Sequence, residues 1–307
     1  MKKGFVADSV LLLVTLIWGT TFVIVQNAIA ILPPYTFNGI RFSLAAIVLL
    51  VYILIKDRNS FLHLGKKGFI SGILLGVFLF GGYAFQTAGL AYTTASKAGF
   101  ITGLSVVLVP IFSIFLLKIF PKWPTIVGVL LATVGMYLMT MIEGGHFDWG
   151  DLLVFLCAIF FALHIVFMGK FAPQYKTLPL AWVQIMTVAL LNLFMMFFYD
   201  YPSVRIDDLL QKDVWIALLI TSVFATAFAY VAQTTFQSYT TPTRVAIIFA
   251  MEPVFSAMTS YLIQDEVMNN WTIMGGLLIF LGMIIVELPP DLFQSLFQWK
   301  NQKRRAS

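Results

Sequence analysis

The chain has 307 residues, of which 60% are hydrophobic and only 11% charged, against about 25% charged in ordinary soluble domains. A soluble protein of this size could not hide so much apolar side chain, so the composition excludes a cytosolic enzyme, a disordered chain and a secreted disulfide scaffold. The net charge of +5 reads as basic cytoplasmic loops rather than a nucleic-acid surface.

Lys2 and Lys3 precede an apolar stretch from Val10 to Trp18, as in a signal peptide. The stretch does not end in a small-residue cleavage site but stays apolar to Leu32, which predicts a first transmembrane helix. Continuous apolar runs, rather than alternating ones, favour helices over an outer-membrane barrel. Charge clusters, prolines and glycines divide the rest of the chain. Ten spans are predicted at about 8–32, 35–55, 67–90, 94–117, 123–142, 149–171, 178–199, 213–236, 242–263 and 270–288. The break Leu32-Pro33-Pro34-Tyr35 predicts a tight antiparallel helix hairpin.

A repeat runs through these spans. Tyr83 to Lys97 (YAFQTAGLAYTTASK) and Tyr230 to Arg244 (YVAQTTFQSYTTPTR) share six of fifteen positions at a constant offset of 147. The identities are Tyr83/Tyr230, Gln86/Gln233, Thr87/Thr234, Tyr92/Tyr239, Thr93/Thr240 and Thr94/Thr241. Pro110 to Ser113 matches Pro253 to Ser256 at an offset of 143, and Gly135 matches Gly282 at 147. The slip of four is about one helical turn and keeps the same face. The expected fold class is an all-α polytopic membrane protein with ten transmembrane helices as two inverted five-helix repeats. Residues 1–145 form the first repeat, 146–290 the second, and 291–307 a basic cytoplasmic tail. An odd number of spans per copy turns the copies over in the bilayer, the arrangement that underlies alternating access.

Trp18-Gly19-Thr20-Thr21-Phe22, Arg41-Phe42 and Gly99 to Gly103 with Pro110 resemble the first half of an EamA-type transporter of the drug/metabolite transporter superfamily. Met251-Glu252-Pro253-Val254-Phe255, Asp265-Glu266 and Gly275-Gly276 resemble its second half. The resemblance implies a secondary-active transporter of small organic metabolites, with a central cavity between the halves. Amino-acid or related metabolite export is the most specific reading; drug-like amphiphiles and a non-transporting receptor or scaffold are the alternatives. The first half departs from the family by ending span four in Lys118-Ile119-Phe120-Pro121-Lys122, where a glutamate is common.

Charged groups within hydrocarbon cost about 2.5–3.5 kcal/mol each on insertion scales, so each needs a reason. Glu252 lies ten residues from either end of span nine and is the candidate proton-coupling residue; its counterpart beside Pro110 is Val109. Tyr83 and Gln86 share a helix face, as do Tyr230 and Gln233, and are candidate substrate contacts. Lys97 and Arg244 occupy equivalent positions, as basic gates or as snorkelling side chains. Trp18 and His164, in the first helices of the two halves, complete the set. Arg41, roughly 9 Å into span two at 1.5 Å per residue, is expected to snorkel. Gly72-x-x-x-Gly76 and Gly99-x-x-x-Gly103 suit close helix packing. His63, His146 and His164 are too far apart for a metal motif, Cys157 has no partner for an internal disulfide, and no nucleotide loop or catalytic triad is visible. The expected partners are therefore a small-molecule substrate, the lipid bilayer and protons, with no catalysis, cofactor, metal or nucleic acid. The sequence leaves the oligomeric state open.

Orientation follows from the basic residues. With the N-terminus in the cytoplasm, 15 of 19 lysines and arginines fall inside; Lys97, Arg205 and Lys212 fall outside and Arg41 lies within a span. The expected location is the inner (plasma) membrane with both termini cytoplasmic. Single cysteines placed, after replacement of Cys157, between Lys56 and Lys67 and between Gly144 and Asp148 test this. An impermeant maleimide should label the second site but not the first in intact cells; the reverse pattern inverts the topology.

Overall fold

In the computed structural model, residues 2–61, 63–93, 95–140, 148–201, 204–264 and 269–287 are described, and among them the chain is helical with no strand. Expectations for Glu266 and for the tail 291–307 lie outside the described residues. Helix occupies each of the ten predicted segments. Eight helical runs are long and apolar enough to cross a membrane, and two shorter apolar helices cover Trp123–Met139 and Asn270–Val286. The protein is a multi-pass membrane protein.

Helix α1 spans Lys2–Ile29 and α2 Pro34–Lys56. Pro34 opens α2 because a first-turn residue needs no N–H partner and its φ is already helical. α3 is Gly65–Leu90, entered through Gly65 at φ +64°. The fourth segment is broken into α4 (Ala95–Gly103) and α5 (Ser105–Phe112). It continues as a π turn over Ser113–Leu117 that stops at Lys118 in the left-handed conformation (φ 57°). α6 is Trp123–Thr140, and α7 is Trp149–Phe171, started by a reciprocal capping box between Asp148 and Asp151. α8 is Thr177–Met195, with a π turn over Met196–Asp200. After the short α9 (Ile206–Leu209), α10 (Lys212–Ser222) passes through a π turn at Val223–Phe228 into α11 (Ala229–Phe236). The ninth segment is again two helices, α12 (Pro242–Phe249) and α13 (Glu252–Gln264), and α14 is Asn270–Glu287.

The break between α12 and α13 has a local cause. Pro253 has no N–H, and its ring crowds the carbonyl four residues back, that of Phe249. The backbone turns at Ala250 and Met251, where Met251 N–H bonds Ile248 O at 3.1 Å. The break in the fourth segment falls at Leu104, 147 residues before Met251. Pro110 is one turn further along, inside α5. The residue that follows the break is therefore Glu252 in one segment and Ser105 in the other. Aligning by the breaks corrects the pairing of Glu252 with Val109, which the proline motif alone suggested.

Polarity is inverted relative to a soluble bundle. Val51, Ile55, Leu130, Val134, Phe194 and Leu262 are exposed, whereas Thr36, Asn38, Gln86, Gln184, Gln233 and Thr234 are buried. Hydrocarbon gives polar groups no partner, so they turn inward, where most find one; Asn38 Oδ1 and Gln233 Oε1 are buried without one. Buried threonines bond back one turn: Thr15 donates to Leu11 O at 2.8 Å and Thr221 to Ala217 O at 2.7 Å.

Helices pack mainly across the two halves: α6 on α14, α2 on α8, α3 on α7 and α8, and α1 on α10 to α13. At one rim, Lys176 donates to Asp57 at 3.0 Å and that hydrogen bond holds the Asp57 carboxyl below the usual range. The pair is exposed, so its contribution is small; it is present above the ordinary carboxylate range and lost on acidification.

The α6–α14 seam depends on glycine. A Cβ at Gly135 would overlap the Gly275 carbonyl, and one at Gly275 would overlap that of Gly135; a Cβ at Gly128 would lie 2.9 Å from Gly282 O and one at Gly282 2.8 Å from Gly128 O. Small residues let backbones approach where no hydrophobic force separates helix from lipid. Gly135→Val should destabilise the purified protein by about 1–3 kcal/mol through overpacking. Gly276→Ala, which meets only Val254 methyls at 3.5 Å or beyond, should be close to neutral. Thermal unfolding in detergent compares them.

Candidate functional site

A central cavity lies between the halves, bounded by α1, α2, α3, α4, α5, α7, α11, α12 and α13. About 70 Å³ of it accepts the centre of a water-sized sphere, room for several waters where about 10–15 Å³ holds one.

Seven of the nine residues picked out from sequence line this cavity: Trp18, Tyr83, Gln86, His164, Tyr230, Gln233 and Glu252. The two tyrosines of the repeat meet directly, Tyr230 Oη donating to Tyr83 Oη at 2.9 Å. Each ring is walled by an aromatic from the first helix of the opposite half: Trp18 lies 5.4 Å from Tyr230 and Phe161 5.4 Å from Tyr83, centroid to centroid. Trp18 also packs edge-on against Phe249 at 5.0 Å.

Amides and hydroxyls are ordered behind these rings. Gln86 donates to Thr102 Oγ1 at 3.2 Å. His164 Nε2 and Gln184 Oε1 are 2.9 Å apart, and Gln184 donates onward to Thr234 Oγ1 at 3.0 Å. In α2, Asn38 donates to Thr87 Oγ1 at 2.9 Å, so the two repeat-matched threonines Thr87 and Thr234 each accept from an amide one helix away. Gln233 donates to Gln237 Oε1 at 3.1 Å, while its own Oε1 is buried without a partner. The residue lines the cavity, and a buried acceptor left unpaired there calls for an explanation. Glu252 opens α13 at the helix break with no side-chain partner among the described residues. Gly19 makes room for that break: a Cβ there would stand 2.7 Å from Glu252 O.

One picked residue whose side chain is described, Arg244, is not part of this lining. Arg244 is at the start of α12, and its Nη2 pairs with Asp8 Oδ2 at 2.6 Å. This ion pair ties α1 to α12. Lys97 falls in α4, but its side chain lies outside the described residues.

Arg41 lines the cavity and was missed. It is 3% exposed, and it does not snorkel. Its Nε donates to Thr226 Oγ1 at 2.8 Å, and its guanidinium carbon stands 4.8 Å from the Tyr83 ring centre. Depth along the helix was the only signal in the sequence, and it could not say which way the side chain runs. Phe161, Thr102 and Ser105 also line the cavity; of these only Thr102 carried a signal, as part of the Gly99 to Gly103 motif. Among the described residues, no three His, Cys, Asp or Glu side chains gather as metal ligands.

The sequence profile of the EamA-like transporter family matches the chain twice, over residues 6–141 and 148–288. A protein of Archaeoglobus fulgidus called "Uncharacterized transporter" is 36% identical over 287 residues, covering 93% of this chain and 87% of its own. The "Uncharacterized transporter YyaM" of Bacillus subtilis is 22% identical, over 88% of this chain and 91% of its own. A crystal structure of another protein superposes with a TM-score of 0.76, covering 91% of this chain and 96% of the other, at 17% identity; the likeness is one of fold.

The tyrosine contact can be weighed directly. Tyr83→Phe and Tyr230→Phe should each cost about 1 kcal/mol, the net worth of one hydrogen bond, and the double variant little more than either single one. Thermal unfolding of the three purified variants measures that coupling.

Proposed function

The chain belongs to the EamA-like transporter family and is a membrane transporter; from that premise we propose that it carries a small organic metabolite by alternating access, with an amino acid or close relative as cargo and export as the direction. The observation that carries the reading is the cavity at the meeting of two repeat-matched faces, Tyr83 with Gln86 and Tyr230 with Gln233. A cavity on the axis that relates two inverted repeats is where a rocking transporter holds its substrate.

Several contacts support two inverted five-helix repeats. Tyr83 touches its own counterpart at an offset of 147. Gly135 faces Gly275 and Gly128 faces Gly282; at the offset of 147, Gly275 is the counterpart of Gly128 and Gly282 that of Gly135. Such reciprocal contacts are what a two-fold axis produces. The helix breaks at Leu104 and Met251 and the double family match support the same division. On this reading both termini are cytoplasmic. The Asp8–Arg244 pair then closes the cytoplasmic mouth, and Arg244 acts there as a gate rather than in the cavity.

Glu252 is the proposed proton-coupling residue. It is a carboxyl without a hydrogen-bond or ion-pair partner among the described residues, at a helix break, lining the cavity. Its counterpart Ser105 does not titrate, so a single group in the pair carries the proton. Because Pro253 leaves the local backbone short of one hydrogen bond, the break can adjust as the carboxyl gains or loses charge.

Reconstitution in liposomes tests both parts. Wild type should exchange a radiolabelled amino acid across the membrane and respond to an imposed pH gradient. Glu252→Gln should keep exchange at equal pH but lose at least tenfold of the response to the gradient. A wild-type response in Glu252→Gln removes the coupling role and leaves Glu252 a helix-break residue. Absence of counterflow for every amino acid removes the proposed cargo.

A further inference from the structure

Arg41 is a buried cation with no buried anion to meet it. It is 3% exposed, in the middle of the bundle, and no carboxylate comes within ion-pair distance of it among the described residues. Everything that holds it is neutral. Nε donates to Thr226 Oγ1 at 2.8 Å, and Nη2 lies 3.4 Å from both Tyr83 Oη and Ala225 O. The faces of Tyr83 and Phe42 flank it at 4.8 and 5.3 Å. Nη1 makes no hydrogen bond among the described residues, and the residue lines the cavity.

The backbone is shaped for this grip. In the π turn over Val223–Phe228, Ala229 N–H bonds Phe224 O, five residues back, rather than Ala225 O. Ala225 O accepts instead from Trp18 Nε1 at 2.8 Å and from Arg41 Nη2. The same turn presents the Thr226 hydroxyl to Arg41 Nε. π turns of this kind concentrate at functional sites. A guanidinium fixed by neutral acceptors presents a planar fork, the geometry that fits a carboxylate. Removing a charge from water without pairing it is costly, and an arriving anion relieves that cost.

We propose that Arg41 is the anchor for the substrate's carboxylate, and that the transporter selects against analogues lacking that group. The proposal rests on the transport reading above and narrows it to substrates bearing one small anion. Carboxylate is favoured over phosphate because the cavity offers one arginine, with the acidic Glu252 in the same lining. The aromatic walls of Trp18, Phe161, Tyr230 and Phe249 suit an apolar remainder.

The test is counterflow in liposomes with L-leucine, L-phenylalanine and L-methionine, each beside its primary amide. The amide keeps the ammonium and the side chain and removes the anion. Wild type should use each acid at least tenfold better than its amide. Arg41→Gln should lose that preference while still exchanging the amides. Should Arg41→Gln fail to fold, Thr226→Val keeps the charge but removes its Nε acceptor, and should weaken acid exchange about three- to tenfold with little effect on the amides. Equal use of acid and amide by wild type, or an unchanged acid preference in both variants, overturns the anchor while leaving transport standing. Counterflow of none of the six compounds overturns the cargo reading and the anchor together.

Discussion

Hydrocarbon offers no hydrogen bond, and the rest of this molecule follows from that constraint. Backbone groups are satisfied within helices, and threonine hydroxyls fold back on the carbonyl one turn earlier, as in Thr15, Thr187 and Thr259. The amides of Asn38, Gln86 and Gln184 and the Arg41 guanidinium reach across to neighbouring helices. These reaches converge on the middle of the bundle, because only there do several helices present polar groups together. The polar core is thus the adhesive between the helices. Adhesion and the cavity share the same residues: Tyr83 and Tyr230 bond to each other while lining the central space.

The fold was largely legible because its signals are long. Apolar runs of about twenty residues, punctuated by charge and proline, mark each segment, and the Tyr83–Lys97 and Tyr230–Arg244 matches relate the halves. The cavity faces were legible for the same reason: a polar residue repeated in both halves of an apolar chain has few bland explanations. Legibility failed where side-chain direction decided the outcome. Arg41 and Arg244 are alike in sequence, each a lone arginine near one end of a span. One turns into the bundle because the Val223–Phe228 π turn supplies acceptors, the other finds Asp8, 236 residues away. Neither partner can be read from a linear chain. The same limit misaligned the fourth and ninth segments: proline is conspicuous, yet the breaks stand at matched positions while the prolines do not.

Likeness between the halves is strongest in shape and weakest in charge. Glycines, tyrosines, threonines and helix breaks recur at matched positions. Glu252 faces Ser105 as its counterpart, and the ring that Trp18 gives to Tyr230 is matched by Phe161 on Tyr83. Charge does not recur: the cavity lining holds the basic Arg41 and the acidic Glu252.

The π turn in the eighth segment also fixes a rotational phase. It holds one residue more than the same length of α-helix, and each residue turns the helix by about 100°. Everything after it, Tyr230, Gln233 and Thr234 included, owes its inward aim to that extra residue. Shortening Val223–Phe228 by one would leave composition, hydropathy and span length almost untouched, yet it would swing the second polar face away from the first. The site is therefore encoded partly in a count of residues, which comparison of side chains position by position does not register.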